Sequence, residues 1–180
     1  MNDVWKKFDE TELTHSSVHH LMAVYDLIKQ NGYARAVDIS RHLNLTRGSI
    51  SVTLNKLKNK NYLEEDQNKF YRLTDKGKAF ICAVLSKRQI LKKFFREVLL
   101  LPEETAESDA CKIEHLLSRE TGEKLLTFMG YYLSDNPEVK KFREALHLFH
   151  HDCPGEDCLV CENECYFAGT DLLCGEGTTN

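Results

Sequence analysis

The sequence predicts a mainly α-helical chain: three helices and a two-stranded hairpin, then a second helical domain, then a cysteine-rich tail. Three observations predict this. Apolar residues recur at helical spacing through most of the chain and switch once to a short strand–turn–strand pattern. Capping and turn residues punctuate each change. Five of the seven cysteines (Cys153, Cys158, Cys161, Cys165 and Cys174) lie in the last thirty of 180 residues.

The first predicted helix covers 15–30, where Val18, Leu21, Met22, Tyr25 and Ile28 make one apolar stripe and Asn31-Gly32 ends it. A short second helix covers 37–43, and Asn44-Leu45 is a tight connection. Thr46 caps a third helix running to position 60, with Ile50, Leu54 and Leu57 on its buried face. Tyr62-Leu63 starts a strand, residues 65–68 form a polar turn, and residues 70–73 return. Thr74 caps a long helix through Lys93 to about Leu100, with Pro102 beyond its end and Cys82 read as core. Further helices are expected over 108–118 and 120–133, and from Pro137 to about His151.

A helix, a helix–turn–helix and a hairpin in this order make a winged helix-turn-helix, whose third helix fits the major groove of DNA. The buried face of that helix leaves Arg47, Ser49, Ser51, Val52, Asn55 and Lys56 outward, beside the cap Thr46. These offer a guanidinium, hydroxyls, an amide, an ammonium and one apolar group to base edges and phosphates. Arg35, Lys69 and Arg72 are phosphate candidates. Charge agrees. Residues 14–93 carry 15 Lys and Arg against 6 Asp and Glu, whereas residues 94–180 carry 7 against 18. A basic half suits a polyanion and an acidic half stays clear of it. Leu116, Leu117, Leu125, Leu126, Phe128 and Met129 exceed what a small helix pair needs, so a second copy of the chain is the expected partner.

The expected domains are therefore 1–76 for DNA binding, 77–150 for metal binding and dimerisation, and 151–180 for the tail. No apolar run approaches the roughly 20 residues of a membrane span. The first residues lack the apolar stretch of a secretion signal, so the expected setting is the cytoplasm, without a membrane partner. The sequence carries no phosphate loop, nucleotide fingerprint or nucleophile–base pairing, and no enzymatic activity is expected.

Several motifs resemble the diphtheria-toxin-repressor and manganese-transport-regulator family of metal-dependent transcription regulators. They are Val24-Tyr25-Asp26-Leu27, Gly32-Tyr33-Ala34-Arg35 with Asp38-Ile39, Leu73-Thr74-Asp75-Lys76-Gly77, and Cys111-Lys112-Ile113-Glu114-His115-Leu116-Leu117-Ser118. The resemblance runs from about Thr14 to Tyr132 and implies a homodimer on a pseudo-palindromic operator, with divalent iron or manganese favouring the DNA-binding arrangement. Cys111, Glu114 and His115 stand at i, i+3 and i+4, one helix face bearing a thiol, a carboxylate and an imidazole. Such a mixed set suits a transition metal. The resemblance adds His19 as the ligand from the first helix. It also places an ancillary site at Gln89, Lys93 and Glu107, where the Lys93 ammonium is expected to pair with Glu107 in place of an ion.

The tail reads Cys153-x4-Cys158-x2-Cys161-x3-Cys165, with Cys174 after eight more residues. Its start resembles plant-type ferredoxin spacing, which favours an iron–sulfur cluster. A four-thiolate zinc is the alternative ligand, and a redox or electron-carrying protein that uses the winged helix for protein contacts is the alternative function. In a reducing compartment such thiols stay unpaired and available to a metal.

Overall fold

Helix α1 (His15–Asn31) begins where the Thr14 side chain accepts a hydrogen bond from the Ser17 N–H. It ends at Gly32, whose left-handed backbone (φ 81°) donates its N–H to the Ile28 carbonyl. The computed structural model that shows this describes residues 13–149. The chain divides into two units, Met1–Ser134 and Asp135–Asn180.

In the first unit, strand β1 (Ala34–Arg35) leads into α2 (Ala36–Leu43), and Asn44 turns the chain in a left-handed conformation. Helix α3 (Arg47–Asn59) is capped by Thr46 as expected, its side chain accepting from the Ser49 N–H. Strands β2 (Leu63–Glu65) and β3 (Phe70–Leu73) form the antiparallel hairpin. The sheet has three strands in the order β1-β3-β2, because Ala34 and Arg35 pair with Tyr71 and Phe70. The two-stranded wing is thus present, with a two-residue strand added on its inner edge. Two residues are too few to leave a period in the sequence.

Val18, Leu21 and Val24 of α1 pack with Ile39, Ile50, Leu54 and Leu57 around Tyr62 and Leu63. All but Leu63 (2%) are 0% exposed, and each such aliphatic side chain contributes about 1.5–3 kcal/mol by leaving water. The core extends into α4 (Asp75–Lys93) through Ile81 and Val84. Thr74 fastens wing to helix. Its hydroxyl donates to the Asn61 carbonyl at 2.7 Å and accepts from the Gly77 N–H at 3.0 Å. A Cβ at Gly77 would collide with the carbonyl oxygen of Tyr62, which is the steric reason for glycine in Leu73-Thr74-Asp75-Lys76-Gly77. Cys82 does not belong to the core: it is exposed, one position past the buried Ile81 and off the 81/84 face.

After α4, residues Phe94–Val98 make a π-helical turn and Leu100 takes a left-handed backbone (φ 54°), which turns the chain toward Pro102. Helix α5 (Glu103–Ile113) starts five residues earlier than the expected 108. Only Ala106 and Ala110 are buried in it, so its apolar stripe is too faint to show in the sequence. Helix α6 (Arg119–Tyr132) is capped by Ser118. The Tyr132 hydroxyl donates to the Glu97 carbonyl at 3.0 Å and the Lys87 ammonium to the Leu117 carbonyl at 2.6 Å, which seats α6 on α4. In the second unit, α7 (Pro137–Leu148) starts with proline at its first turn and the Asn136 side chain accepting from the Glu138 N–H. Among the described residues no helix is long and apolar enough to cross a membrane.

Candidate metal centre and nucleic-acid interface

Helices α1 and α5 meet through their ligand-type side chains. His19 Nε2 lies 3.3 Å from Cys111 Sγ. One turn earlier on α1 and one turn later past α5, His15 Nδ1 lies 3.5 Å from His115 Nδ1. Donor atoms of His15, His19 and Cys111 all stand within 4.8 Å of one another. The structure therefore brings together His19, Cys111 and His115 of the expected set and adds His15. The sequence signal for His15 was its i, i+4 relation to His19, the same spacing as Cys111 to His115.

Electrostatics suit a cation that replaces protons. Burial, then the charges of His15, Arg88 and His115, hold His19 below the usual imidazole value. Burial and the neighbouring His15 do the same for His115. Both rings are thus neutral near pH 7, with a nitrogen lone pair to offer. Burial pushes the Cys111 thiol up, against the pull of Arg88.

Glu114, the fourth expected ligand, is 0% exposed, and neither carboxylate oxygen has a hydrogen-bond partner. Burial pushes it up to about 7, opposed by the Arg88 guanidinium, whose Nε is 3.6 Å away. A buried carboxylate without hydrogen bonds is costly unless a cation compensates it. The neutral nitrogens and the Cys111 thiol fit a divalent transition metal, with the Glu114 carboxylate nearby, faced by Arg88 but without a hydrogen bond.

The ancillary positions are a different case. Arg88 Nε donates to Glu107 at 3.0 Å, and Lys92 Nζ lies 2.8 Å from Glu107 and 2.6 Å from Glu103. Arg96 reaches Glu103 at 2.9 Å. An ion-paired Glu107 is as expected, but its partners are Arg88 and Lys92. Gln89 and Lys93 are exposed. Residues 88, 92 and 96 follow one face of the helix at i, i+4 spacing, and that face is the one that meets α5. Hydrogen bonds from Lys92 and Arg88 hold the Glu107 carboxyl below the usual range, so it stays ionised.

On α3, Arg47, Ser49, Ser51, Val52, Asn55 and Lys56 are all exposed, with Val52 at 57%. Thr46 is exposed as well, its hydroxyl engaged in the cap. Arg35 lies 4.2 Å over the Phe70 ring, which props its guanidinium beside the wing. Arg35, Arg47 and Lys69 line one shallow groove between the start of α3 and the hairpin. Lys69 pairs with Glu65 at 3.5 Å and Arg72 with Asp66 at 4.0 Å, long contacts whose cations are exposed and can turn to a phosphate. Sequence reasoning missed Lys58, whose 2.5 Å bond to Glu65 ties α3 to β2. Cys153, Cys158, Cys161, Cys165 and Cys174 lie outside the described residues.

A winged helix whose first helix meets metal-ligand residues of a following helical domain defines a class of two-part DNA readers. Residues 12–69 match the family model of the iron dependent repressor N-terminal DNA binding domain, and residues 74–142 match that of the iron dependent repressor metal binding and dimerisation domain. The chain belongs to the iron-dependent repressor family. It is 26% identical over 133 residues to the HTH-type transcriptional regulator MntR of Oceanobacillus iheyensis, covering 74% of this chain and 90% of that one. It is 31% identical over 118 residues to an uncharacterized HTH-type transcriptional regulator of Methanocaldococcus jannaschii, covering 65% and 94%. The iron-dependent repressor IdeR of Mycobacterium tuberculosis is 24% identical over 131 residues, 73% of this chain and 55% of that one. Among solved structures, that of T. acidophilum IdeR superposes with a TM-score of 0.53 at 26% identity, covering 66% of this chain and 55% of that one. The chain spans about half the length of the IdeR relatives. The matched relatives with assigned roles are transcription regulators, not enzymes.

Proposed function

We propose that this chain is a metal-responsive transcriptional repressor that binds a pseudo-palindromic operator as a homodimer. Residues 1–76 read DNA, 77–150 bind metal and dimerise, and 151–180 hold a cluster. The observation that carries the reading is the meeting of His19, on the first helix of the DNA-reading half, with Cys111 and its neighbours on the other half. A divalent iron or manganese ion held by His19, Cys111, Glu114 and His115 supplies a cross-link between those halves. Four residues then do the positioning: each is a donor on a packed helix or at its end, so the spacing of the two recognition helices in a dimer follows from their geometry. Base contacts come from Arg47, Ser49, Ser51, Val52, Asn55 and Lys56, helped by the Thr46 cap. Phosphate contacts come from Arg35, Lys69 and Arg72. Dimerisation uses the apolar surface left on and around α6, where Leu116, Leu126, Phe128 and Tyr131 are exposed.

The tail adds a second input. Four of Cys153, Cys158, Cys161, Cys165 and Cys174 hold an iron–sulfur cluster, a reading supported by the C-x4-C-x2-C spacing. Loss or oxidation of that cluster alters operator affinity.

Anaerobic selection of duplexes from a random pool, with and without ferrous iron, tests the main reading. The expected result is an inverted repeat enriched only with metal and bound with strong salt dependence. Failure to enrich any sequence in either condition contradicts it. Replacing Cys158 and Cys161 by serine is expected to remove the visible absorption of the tail and change operator affinity. Unaltered affinity in both redox states refutes the second input.

A further inference from the structure

The α1–α5 junction contains two i, i+4 pairs facing each other in opposite directions: His15 and His19 on α1, Cys111 and His115 on and just past α5. His15 faces His115 at 3.5 Å and His19 faces Cys111 at 3.3 Å. Donor atoms of His15, His19 and Cys111 lie within 4.8 Å of one another. The close group is His15, His19 and Cys111, which His115 adjoins through His15, whereas the Glu114 carboxylate faces Arg88 at 3.6 Å.

We propose that His15, in place of Glu114, completes the ligand set with His19, Cys111 and His115, so that the centre is a three-nitrogen, one-sulfur site and the iron-or-manganese reading narrows to a borderline divalent ion of the ferrous and zinc type. This rests on the reading of the junction as a metal centre and names which ions it takes. The chemistry is that of the donors. Three imidazoles and a thiolate are the set that four-coordinate zinc and other borderline ions prefer. Manganese sits lowest in the divalent affinity order and favours carboxylate, carbonyl and water oxygens. The Glu114 carboxylate faces the Arg88 guanidinium at 3.6 Å, and a fixed positive charge beside it lowers the attraction it offers to a hard ion. His15 lies on the first turn of α1, exposed, with its ring 4.4 Å from that of His19 and 4.9 Å from that of His115. A ring at the surface that touches two other imidazoles has no packing role that demands histidine. Each neutral imidazole carries one nitrogen lone pair that can accept a proton or bind a cation.

Cobalt(II) is the probe, since its absorption reports coordination number and thiolate ligation. The protein is the full chain with the exposed Cys82 and the five tail cysteines replaced by serine, handled without oxygen, so that Cys111 is the one thiol left to contribute. One cobalt is expected to bind, with a thiolate-to-cobalt charge-transfer band and the strong visible bands of a four-coordinate ion. Zinc is expected to displace it at equivalence, and a ~100-fold excess of manganese is not. His15→Ala is expected to weaken cobalt binding by at least about 10–100-fold and to lower the visible bands as water enters. His15→Cys is expected to restore binding and add a second thiolate contribution to the charge-transfer band, which a merely structural role for position 15 does not produce.

Each outcome points one way. If Cys111→Ser removes the charge-transfer band but His15→Ala leaves affinity and spectrum unchanged, the junction is a metal centre and His15 is not its ligand. His15 is equally ruled out as a ligand if His15→Cys adds no thiolate signal. If manganese displaces cobalt as readily as zinc does, the selectivity is wrong. If the protein binds no cobalt with a thiolate signature, both this inference and the metal centre it rests on fall.

Discussion

Two clusters of ligand-type residues share helix α5, and they have opposite chemistry. At one, Cys111 and the following His115 face His19 and His15, all of them side chains with a lone pair to offer. At the other, Glu107 and Glu103 face Arg88, Lys92 and Arg96, and every carboxylate already has a cation. The difference lies in the helix opposite: α1 presents imidazoles, whereas α4 and the π-helical turn after it present a guanidinium or ammonium every fourth residue. A tethered side-chain charge holds its place permanently, whereas an ion comes and goes with its concentration. The first cluster is therefore suited to sensing and the second to bracing α4 against α5. Arg88 links them, because it contacts both Glu107 and Glu114.

Breaking the sensing side is expected to have the largest effect. His19→Ala or Cys111→Ala removes a donor from the centre and should weaken ferrous iron binding by on the order of 100-fold, measured anaerobically by competition with a chelating dye. Folding should be little affected, since Cys111 is only half-buried. Equal metal affinity in either variant counts against the whole assignment.

Next comes the link between the clusters. Arg88→Met removes the cation facing the buried Glu114 carboxylate, and chelator-treated protein should lose about 3–5 kcal/mol of unfolding free energy above pH 7. The loss should shrink near pH 5, where Glu114 is protonated and needs no counter-ion. Denaturant titrations at the two pH values measure it. A loss independent of pH points instead to the ion pair with Glu107, which stays ionised at both pH values, and to packing of the arginine stem.

Glu114 also gives the wild-type protein a pH slope. Its carboxyl is pushed up to about 7 in the fold from 4.5, so between those values the folded state holds a proton that the unfolded state has released. Its contribution is complete below about 4.5 and is lost as pH rises through about 7. Metal-free protein should accordingly lose stability across that window, and Glu114→Gln should flatten the slope and be the more stable form at pH 8. A variant with the wild-type slope rules out this carboxyl as its origin.

The smallest effect belongs to the positions first read as ancillary ligands. Gln89→Ala and Lys93→Ala should each change stability by less than about 0.5 kcal/mol, because both side chains are exposed and away from the α5 face. Lys92→Ala should be the more harmful by thermal denaturation, since it takes a partner from Glu103 and Glu107.

Legibility in the sequence followed the strength of local signals. Thr46, Thr74 and Gly32 mark element ends by their own hydrogen bonds or backbone preference, and the helices they bound appear where expected. The outward face of α3 was readable because Ile50, Leu54 and Leu57 leave no ambiguity about the inward one. The start of α5 was hidden because its buried side is two alanines. Strand β1 was hidden because it is two residues long and exists only through pairing with β3. Within the centre, Cys111, Glu114 and His115 stand out by helical spacing. Whether Glu114 joins the donors or faces Arg88 depends on how α4 packs on α5, which no spacing within one helix reports. The same applies to Lys92 and Lys93, adjacent in sequence and about 100° apart around the helix.

The central claim is that an ion at the α1–α5 junction sets the affinity for DNA. Fluorescence anisotropy on the duplex recovered by selection tests it most directly, comparing the full-length protein with His19→Ala, each with and without ferrous iron under anaerobic conditions. The account predicts that iron tightens binding of the wild-type protein by about 5–150-fold and leaves His19→Ala unchanged. An equal response in both proteins, or none in the wild type, contradicts it.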